Sequence, residues 1–394
     1  MRIILVLLIL LTFAANALAA ARKRRPGQPV RRQTVAKLSS QRKSPPLGAK
    51  KRLRAKPKRA LAPAGRGPWI EPTFADSTAN DNVDGEDLEV RRAAVEALGP
   101  YNGTVVVTDP DSGRLLSIVN QKLALSNGFQ PCSTIKLVTT LAALKEELIP
   151  TSGPYQLTSR AQSSLTYAVA HSSNGYFAVL GQKLGFSRVV EYARLLGLGE
   201  RAGLNIEGEQ PGVLPSAPPR DGGVGMMTSF GSGISLTPLQ LAALVGAVAN
   251  GGTLYYLQYP RSAQETALLA PQVKRELPVA DWLDKLKVGM RAAVERGTAR
   301  RAAYQADEPI YGKTGTCTDF GKGAHMGWFG AFNEVGDRKL VVVVMLTGAR
   351  GVSGPVASGI AGKVFAGLAR RNFSLGAFQP LRIQTASLGT CCAE

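Results

Sequence analysis

The chain has 394 residues, 44% of them apolar, and a formal net charge of +20. That length holds one large domain or two small ones, and the apolar share is enough for a sizeable core, which excludes a wholly disordered chain. The charge is local: residues 1–70 carry 18 Lys and Arg and no Asp or Glu, leaving 30 basic against 28 acidic residues beyond them, so the folded part is nearly neutral.

Residues 1–19 read as a signal peptide or an anchor. Arg2 is a minimal basic region, residues 3–15 are apolar apart from Thr12, and Ala17-Leu18-Ala19 fits a cleavage site. The apolar run is short for a bilayer span, which favours cleavage after Ala19, whereas Arg22-Lys23-Arg24-Arg25 resists translocation. Export to the periplasm or cell envelope is expected either way. Residues 20–68 are rich in Lys, Arg and Pro and contain no aromatic residue, so they are expected to be a disordered linker. Its expected contacts are anionic lipid or an acidic wall polymer; nucleic acid is not expected for an exported chain.

The folded domain is expected over 69–372, followed by a tail over 373–394. Residues 84–98 have the apolar spacing of an amphipathic helix. Residues 104–108 and 114–119 read as strands joined by Asp109-Pro110-Asp111-Ser112-Gly113, which has the chemistry of a hairpin turn. A helix over 133–147 follows, with Ser133 in its first turn and a buried face from Ile135, Val138, Leu141, Ala142 and Leu148. Residues 150–300 read as mainly helical. One helix there is capped by Thr237, has Pro238 first and ends at Gly251-Gly252; another spans 281–295. Strands at 310–317, 326–332 and 340–346 read as an antiparallel meander, and residues 355–369 as a last helix. Two early strands, three late strands and a helical insertion predict an α/β (α+β) fold: a five-stranded antiparallel sheet covered by helices, with an all-α lobe inserted and a site in the cleft between.

Ser133 and Lys136 lie three residues apart on one helix face, the layout of a hydroxyl nucleophile with an amine to take its proton. The spelling alone is cheap, since Ser40-Gln41-Arg42-Lys43 repeats it in the basic tract. Two later motifs add weight. Ser172-Ser173-Asn174 follows an apolar helical turn, and Lys313-Thr314-Gly315-Thr316 lies on the first late strand, where a lysine and two hydroxyls suit a carboxylate. Gly315, without a side chain, is expected to let a substrate backbone approach.

With these motifs in this order the chain resembles the penicillin-binding, serine D,D-transpeptidase family, which shares its fold with serine β-lactamases. Gly208-Glu209-Gln210-Pro211-Gly212-Val213-Leu214-Pro215, the run over 229–252 and Gly297-Thr298-Ala299 resemble further stretches of its class B branch. The resemblance implies a reaction without metal or cofactor. Ser133 would be acylated by a D-Ala-D-Ala stem peptide of peptidoglycan, or by a β-lactam, and Lys136 would be its base. Ser172 would relay the proton to the leaving amine, and Asn174 would hold the substrate amide. Lys313, Thr314 and Thr316 would bind the terminal carboxylate. The N–H groups of Ser133 and Thr316 would form the oxyanion hole.

The resemblance also places Cys132 and Cys317 on the cleft floor, where a disulfide is expected; the same positions are bridged in class A carbapenem-hydrolysing β-lactamases. That likeness makes β-lactamase the rival activity, with D,D-carboxypeptidase or a β-lactam sensor without turnover as further alternatives. Glu207 and Glu209 are the nearby loop carboxylates that could serve a deacylating water, and a structural salt-bridge role is expected for them instead. His171 and His325 are expected to be packing or hydrogen-bonding residues and not ligands, and Tyr311, Trp328 and Phe329 are expected to pack the sheet. Cys391-Cys392 is not expected to bind metal.

Overall fold

A computed structural model describes residues 70–370, apart from 151–152, 159–160, 205, 304, 306, 320–322, 336–337 and 350. The expected leader, basic linker and tail, with Cys391 and Cys392, lie outside the described residues. Among the described residues no helix is long and apolar enough to cross a membrane.

Helix α1 (Leu88–Leu98) begins later than its apolar pattern suggests, because Asp87 takes the cap by accepting from the N–H groups of Glu89 and Val90. Strands β1 (Gly103–Thr108) and β2 (Leu115–Val119) form the expected hairpin, with Val106 opposite Ile118. Its turn is held by the Asp109 carboxylate, which accepts from the Asp111 N–H and the Ser112 hydroxyl. Strands β3 (Ile310–Asp319), β4 (Ala324–Val335) and β5 (Arg338–Gly348) form the meander. The five strands make one antiparallel sheet in the order β2-β1-β5-β4-β3, so the early hairpin docks on the last strand and β3 is an edge.

The sheet is buried on both faces, and parity divides its side chains between two cores. Val105, Val107, Val342 and Val344 pack with α1 and with α8 (Gly354–Arg370). Val106, Val341, Val343, Trp328 and Phe332 face the other way, into the large core shared with the helical lobe. This is why 340–346 reads as an unbroken apolar run rather than an alternating one.

The helical lobe contains α2 (Lys136–Lys145), α3 (Leu165–Ala170), α4 (Asn174–Leu195), α5 (Gly223–Phe230) and α6 (Pro238–Ala249); α7 (Leu283–Glu295) follows. Thr237 and Gln240 form a capping box at the start of α6, as the Thr-Pro spelling predicts. Two features depart from the mainly helical expectation: Tyr155–Thr158 pairs with Ala161–Ser163, and Thr253–Tyr255 pairs with Val273–Glu276. These strands are only three or four residues long, too short for an alternating pattern to mark them in sequence.

Helix α2 is buried on every side, not on one face, and is the centre of the large core. Its threonines are satisfied internally: Thr140 Oγ1 donates to the Lys136 carbonyl at 2.7 Å, and Thr139 Oγ1 to the Ile135 carbonyl at 3.3 Å. Ser133, just ahead of this helix, therefore sits beside an element packed on all sides.

Candidate active site

Ser133 does not lie in the first α-turn. It sits in a 3₁₀ turn, Cys132–Ile135, that leads into α2. Pro131 starts the turn, and its carbonyl accepts from the Thr134 N–H at 3.1 Å and the Thr134 hydroxyl at 2.7 Å. Cys132 has φ 51°, an uncommon left-handed conformation for a non-glycine residue.

Lys136 Nζ lies 3.0 Å from Ser133 Oγ, 2.8 Å from the Ser172 carbonyl, 3.0 Å from Ser172 Oγ and 2.6 Å from Asn174 Oδ1. Ser172 and Asn174 come from the corner between α3 and α4. Ser172 has φ 55°, and Ser173 caps α4. Lys313 on β3 reaches the same hydroxyl from the opposite side, with Nζ 3.0 Å from Ser172 Oγ and 2.9 Å from the Thr314 carbonyl. Ser172 Oγ thus bridges two amines, and Ser133, Lys136, Ser172, Asn174 and Lys313 form one connected set.

Ser133 is 8% exposed, Lys136 1% and Lys313 0%. Burial lowers the Lys136 amine to about 7. The Phe177 ring, 5.3 Å from Nζ, forms part of the wall that keeps water away. Lys313 is also pushed well below the ordinary lysine range, first by burial and then by the charge of Lys136. The hydrogen-bond partners suit a neutral Lys136. The Ser172 carbonyl and Asn174 Oδ1 are acceptors and take its two N–H bonds, which leaves the lone pair for a serine hydroxyl proton. Asn174 Nδ2 has no protein partner among the described residues, and the side chain is exposed.

The Lys313-Thr314-Gly315-Thr316 run lies in the middle of edge strand β3. Thr314 is buried, and its hydroxyl is 2.6 Å from that of Thr298. Thr316 is exposed, and its Oγ1 accepts from the Gly354 N–H at 2.8 Å, at the head of α8. Gly315 has a packing reason of its own. A Cβ at this position would meet the Pro131 carbonyl oxygen at 2.9 Å and Trp328 Cβ at 3.1 Å. The missing side chain lets the Ser133 turn pack against the strand.

Cys132 and Cys317 form a disulfide, with Cα atoms 5.4 Å apart. It ties the residue before Ser133 to the residue after Thr316, joining the two motifs covalently across 185 residues of sequence. Replacing both cysteines by serine is expected to cost about 2–5 kcal/mol in urea or thermal unfolding and to slow acylation. Alkylation of Cys132 and Cys317 in folded, non-reduced protein would contradict the bridge.

Glu209 does not take the salt-bridge role expected of it. It is fully buried, and its carboxylate accepts from the N–H groups of Ala202 at 2.7 Å and Gly203 at 2.9 Å. Burial raises its pKa. Glu207 is exposed and makes no ion pair among the described residues. With both oxygens committed within its own loop, Glu209 is not placed to activate a water. Glu209→Gln loses one of these acceptors and is expected to cost about 1–3 kcal/mol in urea unfolding.

The aromatic and histidine expectations hold. Trp328 and Phe329 are fully buried, and Tyr311 stacks on Phe332 with ring centroids 4.9 Å apart. His171 lies against the Tyr167 ring, and His325 pairs with Thr318. Sequence reasoning missed Thr298 and Ser229 as members of the site. Both stand in runs quoted above, but nothing in their spacing says what they touch.

The family model of the penicillin-binding protein transpeptidase domain matches residues 103–366. Stage V sporulation protein D of Bacillus subtilis is 29% identical over 296 residues, which are 65% of this chain and 45% of that protein. Peptidoglycan D,D-transpeptidase MrdA of Haemophilus influenzae is 25% identical over 346 residues, covering 68% of this chain and 53% of that protein. The chain thus spans about half the length of these relatives. Among solved structures, Pseudomonas aeruginosa PBP2 superposes with a TM-score of 0.61 at 24% identity, covering 75% of this chain and 77% of that one. The D,D-transpeptidase domain of a peptidoglycan glycosyltransferase from Eggerthella lenta gives 0.59 at 19% identity, covering 73% and 82%. Motifs that the fold brings into one connected site, on a domain matched from β1 into α8, place this chain in the penicillin-binding protein transpeptidase family.

Proposed function

We propose that this protein is an exported serine D,D-transpeptidase that cross-links peptidoglycan through an acyl-enzyme on Ser133 and is covalently bound by β-lactams. The observation that carries the reading is the contact between Ser133 Oγ and a buried Lys136 whose pKa is lowered to about 7. A substantial fraction of that amine is neutral near neutral pH, so it can act as a general base without a histidine.

In this reading Ser133 Oγ attacks the carbonyl between the two D-Ala residues of a stem peptide, and its proton passes to Lys136 Nζ. The N–H groups of Ser133 and Thr316 stabilise the oxyanion; the latter lies on an edge strand, where alternate N–H groups point out of the sheet. Such a donor contributes on the order of 3 kcal/mol. As the tetrahedral adduct collapses, the C–N bond breaks, the proton travels through Ser172 to the leaving amine, and D-Ala departs. The amine of a second strand then attacks the ester, forms the amide and restores Ser133. Asn174 orients the substrate amide through Nδ2. Lys313, Thr314 and Thr316 receive the terminal carboxylate. Binding that carboxylate offsets the desolvation of Lys313 and favours its charged form.

Two observations disfavour the β-lactamase reading. Both Glu209 oxygens are engaged by backbone N–H groups. Lys136 Nζ is ringed by polar partners, not by the apolar pocket that carbamylation requires. Export and a linker over 20–68 that contacts anionic lipid or wall polymer complete the proposal; they rest on the leader-like start and the basic composition.

The test offers the full chain a peptide ending in D-Ala-D-Ala with a labelled D-amino acid as acceptor. Label exchanged into the peptide supports transpeptidation. Release of D-Ala without incorporation would make the protein a carboxypeptidase, and no release would favour a sensor.

A further inference from the structure

Ser229 is the penultimate residue of α5, and it touches both halves of the site. Its hydroxyl donates to the Asn174 carbonyl at 3.0 Å, and its carbonyl accepts from Ser133 Oγ at 3.5 Å. The next carbonyl, that of Phe230, accepts from Gln130 Nε2 at 2.9 Å. Gln130 is held in turn by the Trp328 indole N–H, which donates to its carbonyl at 3.1 Å. The helix then stops at Gly231, whose φ is 72° and where any Cβ would strike Pro131. A second tie binds α5 to α4: Thr228 Oγ1 donates to the Phe177 carbonyl at 2.9 Å.

One turn of α5 is therefore wedged between the nucleophile turn and the corner that carries Ser172 and Asn174. The end carbonyls of a helix lack intrahelical donors and carry partial negative charge. Here Ser229 offers such a carbonyl to the nucleophile hydroxyl. When Lys136 is protonated it donates to Ser133 Oγ, and the serine proton has the Ser229 carbonyl to turn to. When Lys136 is neutral, its lone pair takes that proton instead.

We propose that Ser229 is a positioning residue for acylation: its hydroxyl fixes the first turn of α4 and so sets how tightly Asn174 holds Lys136. This rests on the transpeptidase reading above. Asn174 Oδ1 makes the shortest contact of Lys136 Nζ. The groups facing that amine are Ser133 from its own turn, Ser172 and Asn174 from the corner, the Phe177 ring from α4 and the Lys313 amine from β3. None of these is a carboxylate, so the neutral acceptors are what support the charged form. Releasing Asn174 removes one of them and favours the neutral amine.

The experiment measures acylation of the full chain by benzylpenicillin from pH 5.5 to 9, separating the limiting rate constant from the concentration for half-saturation. Ser229→Ala is expected to lower the plateau about 10-fold, as displaced reacting groups do, with little change in half-saturation. The rising limb is expected to move to lower pH by about half a unit or more. Asn174→Ala should move it the same way, and the double variant no further. Should the alanine variant not fold, Ser229→Cys, of similar volume but with a weak donor, is read in its place and predicts the same direction. An unchanged midpoint, or an effect on half-saturation alone, would overturn the proposal. Wild-type protein that forms no adduct on Ser133 would instead overturn the functional reading on which it rests.

Discussion

Ser133→Ala is expected to abolish covalent labelling by benzylpenicillin and to lower transfer by at least about 10⁴-fold, the scale seen when a covalent nucleophile is removed. The fold should hardly notice. The side chain is small, so although Ser133 is only 8% exposed its hydroxyl leaves little space behind. Its hydrogen bonds run to Lys136, which keeps Ser172 and Asn174 as partners, and loosely, at 3.5 Å, to the Ser229 carbonyl. The expected pair of results is therefore full loss of the adduct with a melting temperature within a few degrees of wild type. A Ser133→Ala protein that still forms the adduct would move the nucleophile elsewhere.

The second large effect concerns Lys136. Lys136→Ala is expected to slow acylation by about 10²–10⁴-fold, the usual contribution of a general base. In the wild type the rate should rise with pH through about 7, as the buried amine loses its proton, and then level off. Stability has its own pH dependence. Between about pH 7 and the ordinary lysine value of 10.5, the unfolded chain holds a proton that the folded Lys136 has released, so stability rises with pH across that window. Below about pH 7 both states are protonated, and the contribution of this group no longer changes. Urea titrations of wild type and Lys136→Ala at pH 7 and pH 9 measure the difference; the wild type alone should gain this increment. A pH-independent acylation rate from pH 6 to 8 would remove Lys136 from the role of base.

Much of this is legible in the sequence, because the motifs of the candidate site are spelled locally. Ser133 and Lys136 share one helical turn, Ser172 and Asn174 share one corner, and Lys313 to Thr316 share one strand. The sheet was legible too, since the valine-rich runs and the Asp-Pro-Asp-Ser-Gly turn have few other uses. What escaped is the choice of partner across distance. Thr298 meets Thr314 and Ser229 meets Asn174 because separate elements dock, and no periodicity encodes that. The packing reason for Gly315 is not legible either, because a strand has two sides and only docking shows that its Cβ would meet Pro131. Glu209 was read as an ion-pair partner because its charge is visible in sequence, whereas its complete burial against backbone N–H groups is not. Helix α2 was read as amphipathic because its threonines count as polar until their hydroxyls are seen bonded to its own backbone.

The most direct measurement of the central claim is the intact mass of the full chain during and after exposure to benzylpenicillin, with Ser133→Ala as the control. An adduct equal to the mass of the antibiotic, mapped to Ser133 and persisting for hours after free drug is removed, is the predicted result. An adduct that appears and decays while penicilloate accumulates would make the protein a β-lactamase, and no adduct at all would contradict the site itself.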